Sequence, residues 1–203
     1  PRLGASAENI DGWIDDAVKP WLRAMADHVG DGGYLAGARP SLADFAAFGA
    51  NVAHFVNDPA CRRLTDEVAP RVVAHTHRLR APWDHTYGDW LDPADLPDTF
   101  IALLTEAGRH YLPWVAEATV AGAAPVRFAD GSGAEIATTN FLTTARGIML
   151  ARYREARSPE LDAILDRAGI LGHYADHLGQ ATEVPDPALL PRPVDNRPYP
   201  AGA

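Results

Sequence analysis

Hydrophobic residues recur at steps of three and four through most of the chain, which is the spacing of one face of an α-helix. The first such run covers residues 7–29. Its apolar members are Ile10, Trp13, Ile14, Ala17, Trp21, Met25 and Val29. Because proline removes a helical hydrogen bond, we expect Pro20 to kink or divide this helix. The glycines of residues 30–33 (GDGG) are predicted to end it.

The same spacing, punctuated by prolines, predicts six further helices. They cover residues 41–57, 60–68, 70–81, 97–121, 140–156 and 159–168. In the first of these, Phe45, Phe48, Val52 and Phe55 are expected to face the core. In the helix 97–121, Pro113 is expected to produce a bend. The predicted fold class is therefore all-α.

Residues 125–137 depart from this spacing and predict a β-hairpin. Apolar side chains alternate with others on both sides of an Asp-Gly-Ser-Gly turn, as in two short strands joined by a tight turn. These side chains are Val126, Phe128, Ala134 and Ile136. Residues 183–203 hold six of the chain's 17 prolines and show no helical spacing, so we predict an extended tail.

Charge and composition narrow the classes of function. A net charge of -9 over 203 residues disfavours nucleic-acid binding, which needs cations to neutralise phosphates. No apolar run reaches the ~20 residues that span a bilayer, and no signal peptide is recognisable, so we expect a cytoplasmic protein without a membrane partner. One cysteine fits a reducing compartment. Since the sequence begins at Pro1, we expect it to be a fragment of a longer protein.

Two groups of side chains invite a chemical interpretation. Cys61 follows Asp58-Pro59 near a predicted helix start, where the helix dipole lowers a thiol pKa. We favour the alternative of a small, half-buried side chain. His173 and His177 share a helix face, but zinc takes three or four ligands, so no metal site is predicted. The eight histidines are expected at the surface.

The stretch RPSLADFAAFG, residues 39–49, carries a strong helix-start signal. Ser41 is placed to accept the backbone N–H of Asp44, and Asp44 to accept that of Ser41, which is a capping box. The charge of Asp44 also suits the N-terminal end of the helix dipole. Pro40 and Phe45 flank the box at the positions of a hydrophobic staple. Loss of Ser41 or Asp44 is expected to cost ~1 kcal/mol or more.

With its flanking residues, this box resembles the C-terminal, all-helical domain of glutathione S-transferases. The shared pattern is a glycine-rich loop followed by aromatic-Leu-x-Gly-x-x-Pro-Ser-Leu-Ala-Asp-Phe. It is filled by Tyr34, Leu35, Gly37, Pro40, Ser41, Leu42, Ala43, Asp44 and Phe45. The resemblance implies a family-like helical core over residues 1–82. Residues 83–182, with the hairpin, resemble the helical extension of some bacterial members, and residues 183–203 form the tail.

The resemblance also implies a function. In the family, an N-terminal thioredoxin-like domain binds glutathione and activates its thiol, while the helical domain presents a small, usually apolar electrophile. No βαβ pattern occurs in this sequence, so no catalytic residue is assigned, and the thioredoxin-like domain is expected in cis in the intact protein. Trp13 and Trp21 are the candidate substrate-binding residues, with core packing as the alternative.

A second function stays open at this level. Helical domains of this type also serve as non-catalytic protein–protein interaction modules. Members of the family commonly form dimers, so the resemblance implies a homodimer as well. The presence of a thioredoxin-like domain in the intact protein distinguishes the two functions.

Overall fold

The computed structural model describes residues 5–81 and 88–182 of the chain. Within them the fold is all-α apart from one two-stranded antiparallel sheet, which confirms the predicted fold class and hairpin. The elements are, in chain order, α1 (Ile10–Gly12), α2 (Lys19–Val29), α3 (Leu42–Ala50), α4 (Pro59–Val68), α5 (Pro70–Arg78), α6 (Asp98–Arg109), α7 (Tyr111–Ala121), β1 (Ala123–Arg127), β2 (Gly133–Ala137), α8 (Asn140–Ala156) and α9 (Pro159–Arg167). A short α10 (Gly172–Ala175) and a 3₁₀ turn (Leu178–Gln180) follow. The predicted tail lies outside the described residues.

Three apolar clusters form the interior. The first gathers α2, α5 and Leu103 of α6, so it crosses the predicted boundary at residue 82. The second joins α6 and α7 to α8 and α9, with Tyr153 and Ile170 near its centre. The third lies under the hairpin and consists of Val126, Phe128 and Ile136. The candidate site described below lies beside this third cluster.

The first long helix changes its geometry just before Pro20. A π-helical segment, Trp13–Val18, joins α1 to α2, and Pro20 falls in the first turn of α2. Pro20 has no N–H to donate to the carbonyl of Asp16, four residues earlier. That carbonyl instead accepts a hydrogen bond from Nε2 of His110 at 3.2 Å. This hydrogen bond joins the α6–α7 junction to the first helix.

The predicted helix over residues 97–121 is confirmed in its extent, but it is two helices, and the break lies three residues before Pro113. The chain breaks at His110, whose φ of -129° separates α6 from α7. Pro113 lies in the first turn of α7, where backbone N–H groups have no helical partner in any case. The missing N–H of Pro113 consequently costs little.

The predicted core face of the helix at residues 41–57 was also wrong in part. Phe45 is 39% exposed and Leu42 86% exposed, whereas Asp44 and Asn51 are buried. A second π-helical segment, Asn51–Val56, continues α3. Asp44 takes the inward position beside Phe45, and its carboxylate accepts hydrogen bonds from Leu35 and His75 in the interior.

The hairpin docks closely on the first helix. Val126 pairs with Ala134 in the antiparallel register, and Trp114 of α7 donates its Nε1–H to the carbonyl of Ile136 at 3.1 Å. A Cβ atom at Gly12 would lie 2.6 Å from Oγ of Ser132 and 2.8 Å from the Phe128 ring. A glycine at position 12 is thus required for the hairpin to approach, and this approach forms one wall of the site.

Candidate functional site

An apolar cavity of about 570 Å³ lies between the first helix, the α6–α7 junction and the hairpin. This volume is within the ~300–1,000 Å³ range of small-molecule sites. The residues that line it are Trp13, Ala17, Trp21, Glu106, Ala107, His110, Tyr111, Trp114, Val126, Ile136 and Leu142. Three tryptophans and one tyrosine among them give the cavity large, flat aromatic walls. Such walls suit an aromatic or otherwise apolar ligand.

Both predicted substrate-binding residues, Trp13 and Trp21, line this cavity. Each also packs against an apolar cluster, Trp21 against the α2 cluster and Trp13 against the hairpin cluster. The Trp13 ring contacts Phe128 edge-on, with 4.9 Å between centroids. Its Nε1–H is buried and has no partner in the protein. The two predicted roles, packing and pocket lining, therefore coincide in the same side chains.

The polar edge of the cavity is organised by Asp16. Its carboxylate accepts the backbone N–H of Ala129 in the hairpin turn at 2.9 Å and pairs with Arg109 at 3.1 Å. Arg109 also pairs with Glu106 at 3.2 Å, and Glu106 lines the cavity. His110 adds its bond to the Asp16 carbonyl. This network fixes the hairpin, the first helix and α6 around the cavity mouth.

The ionisable groups among the described lining residues are few. They are Glu106, His110 and Tyr111, and the described lining contains no serine, cysteine, lysine or arginine. His110 is its one imidazole, and its Nε2 donates to a backbone carbonyl. The described lining is therefore mainly apolar and aromatic, with few polar groups.

The predicted capping box is present, and its hydrogen bonds extend beyond the N-terminus of α3 to other parts of the fold. The Ser41 hydroxyl accepts the N–H of Asp44 at 3.4 Å, and Oδ2 of Asp44 accepts the N–H of Ser41 at 2.7 Å. Oδ1 of Asp44 accepts the N–H of Leu35 at 2.8 Å and Nε2–H of His75 at 2.8 Å. Asp44 and His75 are both completely buried. The box thus joins α3, α5 and the preceding loop through one buried carboxylate.

Asp44 makes stability depend on acid pH. Burial acts to raise the pKa of this carboxyl, but hydrogen bonds from His75, Ser41 and Leu35 outweigh burial and hold the pKa below its ordinary value. A depressed carboxyl pKa stabilises the fold above the unfolded-state pKa of about 3.9, and this stability is lost as pH falls through the folded-state pKa. In the Asp44→Asn variant the side chain at this position does not titrate. We expect the difference in free energy of unfolding between the parent and Asp44→Asn to narrow below about pH 4. Urea unfolding at pH 7, 4 and 3 measures it, and a constant difference contradicts the assignment.

Cys61 does not have the properties of a reactive thiol. Burial, together with the nearby Asp58 carboxylate, raises its pKa. Asp58 caps α4 and accepts the N–H groups of Ala60 and Cys61 at 2.8 and 3.0 Å. This negative charge opposes the effect of the helix dipole on the thiol.

The described residues contain neither a cluster of metal ligands nor a membrane-spanning helix. Within residues 5–81 and 88–182, no group of three or more His, Cys, Asp or Glu residues is arranged to hold a metal ion. Over the same ranges, every helix is too short or too polar to cross a bilayer.

Sequence reasoning missed two histidines that organise the structure. His75 was expected at the surface, and this was wrong, because it is fully buried against Asp44. Its spacing from Val72 and Leu79 places it on the apolar stripe of α5, a signal that would have identified it. His110 interrupts the predicted helix, and no sequence pattern around it indicated its role. Its role depends on the Asp16 carbonyl, 94 residues earlier.

Comparison with known proteins gives no independent assignment. No protein-family model matches the chain, and no curated protein or solved structure matches it.

Proposed function

We propose that this chain is the substrate-binding domain of a glutathione S-transferase-like protein, and that its apolar cavity binds a small aromatic electrophile. The observation that carries the proposal is the cavity itself, which contains both Trp13 and Trp21. The capping-box pattern and the loop before it supply the likeness to the family. The single cysteine favours a reducing compartment, and we place the protein in the cytoplasm on that basis.

The chemistry of the cavity defines the ligand. Aromatic walls bind flat apolar rings through dispersion and offset stacking. The Nε1–H of Trp13 is buried beneath the surface. Recognition therefore rests on the shape and stacking of the aromatic walls, which suit a small, flat aromatic molecule.

Glutathione itself does not fit the cavity. Its two carboxylates need cationic or N–H partners, and no lysine or arginine is found among the described lining residues. Glutathione, which supplies the thiolate when bound, would accordingly bind to a thioredoxin-like domain in cis. The part played by Trp13, Trp21 and Trp114 is to hold the electrophile in one orientation, which lowers the entropic barrier to attack.

Ligand binding by the chain is tested with 1-chloro-2,4-dinitrobenzene as the probe. We expect calorimetric titration to show one site, and Trp21→Leu to weaken it about tenfold, because an aromatic wall is lost. Trp90→Leu is the matched control, since Trp90 is 51% exposed and lies outside this cavity. Equal affinities for the two variants, or no binding by the parent, would contradict the site.

The transferase part of the proposal needs the intact protein. Its conjugation of the same probe with glutathione is expected to fall in Trp21→Leu in proportion to the lost affinity. If the chain binds the probe but the intact protein forms no conjugate, the cavity remains a binding site and the transferase assignment fails.

An interaction module is the second candidate. The observation that favours it is the apolar outer face of α3, where Leu42 is 86% exposed and Phe45 39% exposed. Such a face suits a partner protein or a second copy of the chain. Reversible self-association together with an empty cavity in the titration above would favour this function over the first.

A further inference from the structure

Arg146 is a buried arginine in the middle of α8. Only 4% of its surface is exposed. Its three guanidinium nitrogens are all buried and none has a hydrogen-bond partner. Guanidinium groups stay protonated in proteins and offer five N–H donors. The guanidinium is therefore a positive charge in the interior whose donors have no hydrogen-bond partner among the described residues.

Among the described residues, no carboxylate compensates the charge of Arg146. Burial lowers the pKa of the guanidinium, and the nearby phenols of Tyr111 and Tyr174 only partly oppose this. His173 is also close enough that Arg146 contributes to lowering its pKa, after burial and His177. An unpaired buried charge is strongly unfavourable. An anion that enters from solution would relieve this.

A small cavity adjoins the side chain. It has a volume of about 90 Å³ and is lined by Thr119, Val120, Thr143, Arg146, Gly147 and Gln180. At about 30 Å³ for each water, this is room for about three heavy atoms, the number in one carboxylate group. Arginine binds carboxylates through two parallel N–H···O bonds. The size of the cavity and the presence of Arg146 in its lining thus both suit a carboxylate.

A larger groove continues from the small cavity. It has a volume of about 410 Å³ and shares Val120 and Gln180 with it. Pro113, Ala116 and Ala121 make its floor apolar. Glu117 also lines the groove, which disfavours a second negative charge on the ligand. The groove therefore suits a short apolar body attached to a single carboxylate.

We propose that Arg146 and this groove form a binding site for a small monocarboxylic acid, with the carboxylate on the guanidinium and the apolar body over α7. The site lies apart from the cavity of Trp13 and Trp21 and does not rest on the proposed function. Its ligand class is a short aliphatic or aromatic monoacid.

Thermal unfolding of the chain with butyrate as the probe tests this proposal, against sodium chloride of equal ionic strength. At 100 times the Kd, butyrate is expected to raise the Tm of the parent by about 5 °C or more. Butyramide, which has the same body without the charge, is expected to leave Tm unchanged. Calorimetric titration supplies the Kd.

Two variants separate binding from folding. Arg146→Met removes the unpaired charge, so it is expected to melt above the parent in the absence of butyrate and to show no butyrate shift. Arg152→Met is the matched control, because Arg152 lies on α8 as well and pairs with Glu155 at the surface at 3.0 Å. It should keep the full butyrate shift.

Several outcomes would overturn the proposal. A butyrate shift of equal size in Arg146→Met places the binding elsewhere. A shift produced equally by butyramide removes the role of the carboxylate. A shift produced equally by chloride makes the site one for inorganic anions, and no shift in the parent means that water alone fills the cavity.

Discussion

Asp44→Ala is expected to lower the free energy of unfolding by about 3–5 kcal/mol, far more than a helix cap alone contributes. The carboxylate is fully buried and accepts hydrogen bonds from Leu35, Ser41 and His75. Alanine leaves the Nε2–H of His75 and the N–H of Leu35 without partners in the interior, and each such group costs about 1–3 kcal/mol. For a chain of this size the Tm should fall by roughly 10 °C.

A surface cap on the same protein provides the control. Asp58 caps α4 with two backbone hydrogen bonds, but its carboxylate is exposed and contacts no buried histidine. Asp58→Ala is expected to cost about 1 kcal/mol. Urea unfolding of both variants measures the two costs. If Asp44→Ala proves no more destabilising than Asp58→Ala, the buried network is not what stabilises this region.

The contrast between these two caps shows what the sequence could predict. Ser41 and Asp44 lie three residues apart, and a local pattern of this kind identifies the box and the start of α3 directly. The partner His75 is 31 residues away, and its contact is decided by how α5 packs against α3. Local spacing predicts the helix end, whereas the larger energetic role of Asp44 comes from tertiary packing.

The sequence also predicted only some of the residues that line the cavity. Trp13 and Trp21 were identified from the aromatic spacing of the first helix and from the family resemblance, and both line the cavity. His110 and Trp114 were not identified, because both lie inside the predicted helix over residues 97–121 and no site was expected there. The break between α6 and α7 turns these side chains toward the hairpin. Pro113, which has no N–H for the carbonyl of Arg109, marks a break nearby, but local spacing does not give its position at His110 or the contact of His110 with the Asp16 carbonyl.

Filling the cavity is expected to abolish ligand binding while the fold survives. Ala107 lines the cavity from α6 and is partly buried. Ala107→Phe places a phenyl ring where the ligand would lie, and we expect the affinity for 1-chloro-2,4-dinitrobenzene to fall at least about tenfold, which corresponds to about 1.4 kcal/mol or more. Overpacking costs about 1–3 kcal/mol of stability, so the variant should melt lower but cooperatively.

Ala102→Phe makes the test specific to the cavity. Ala102 lies on the same helix as Ala107 but is exposed, so the same added ring enters solvent there. This control is expected to keep the affinity of the parent. Calorimetric titration of the three proteins gives the comparison, and circular dichroism confirms that each is folded. A folded Ala107→Phe variant that binds as tightly as Ala102→Phe would show that the ligand occupies another surface, and the aromatic cavity would then have only a packing role.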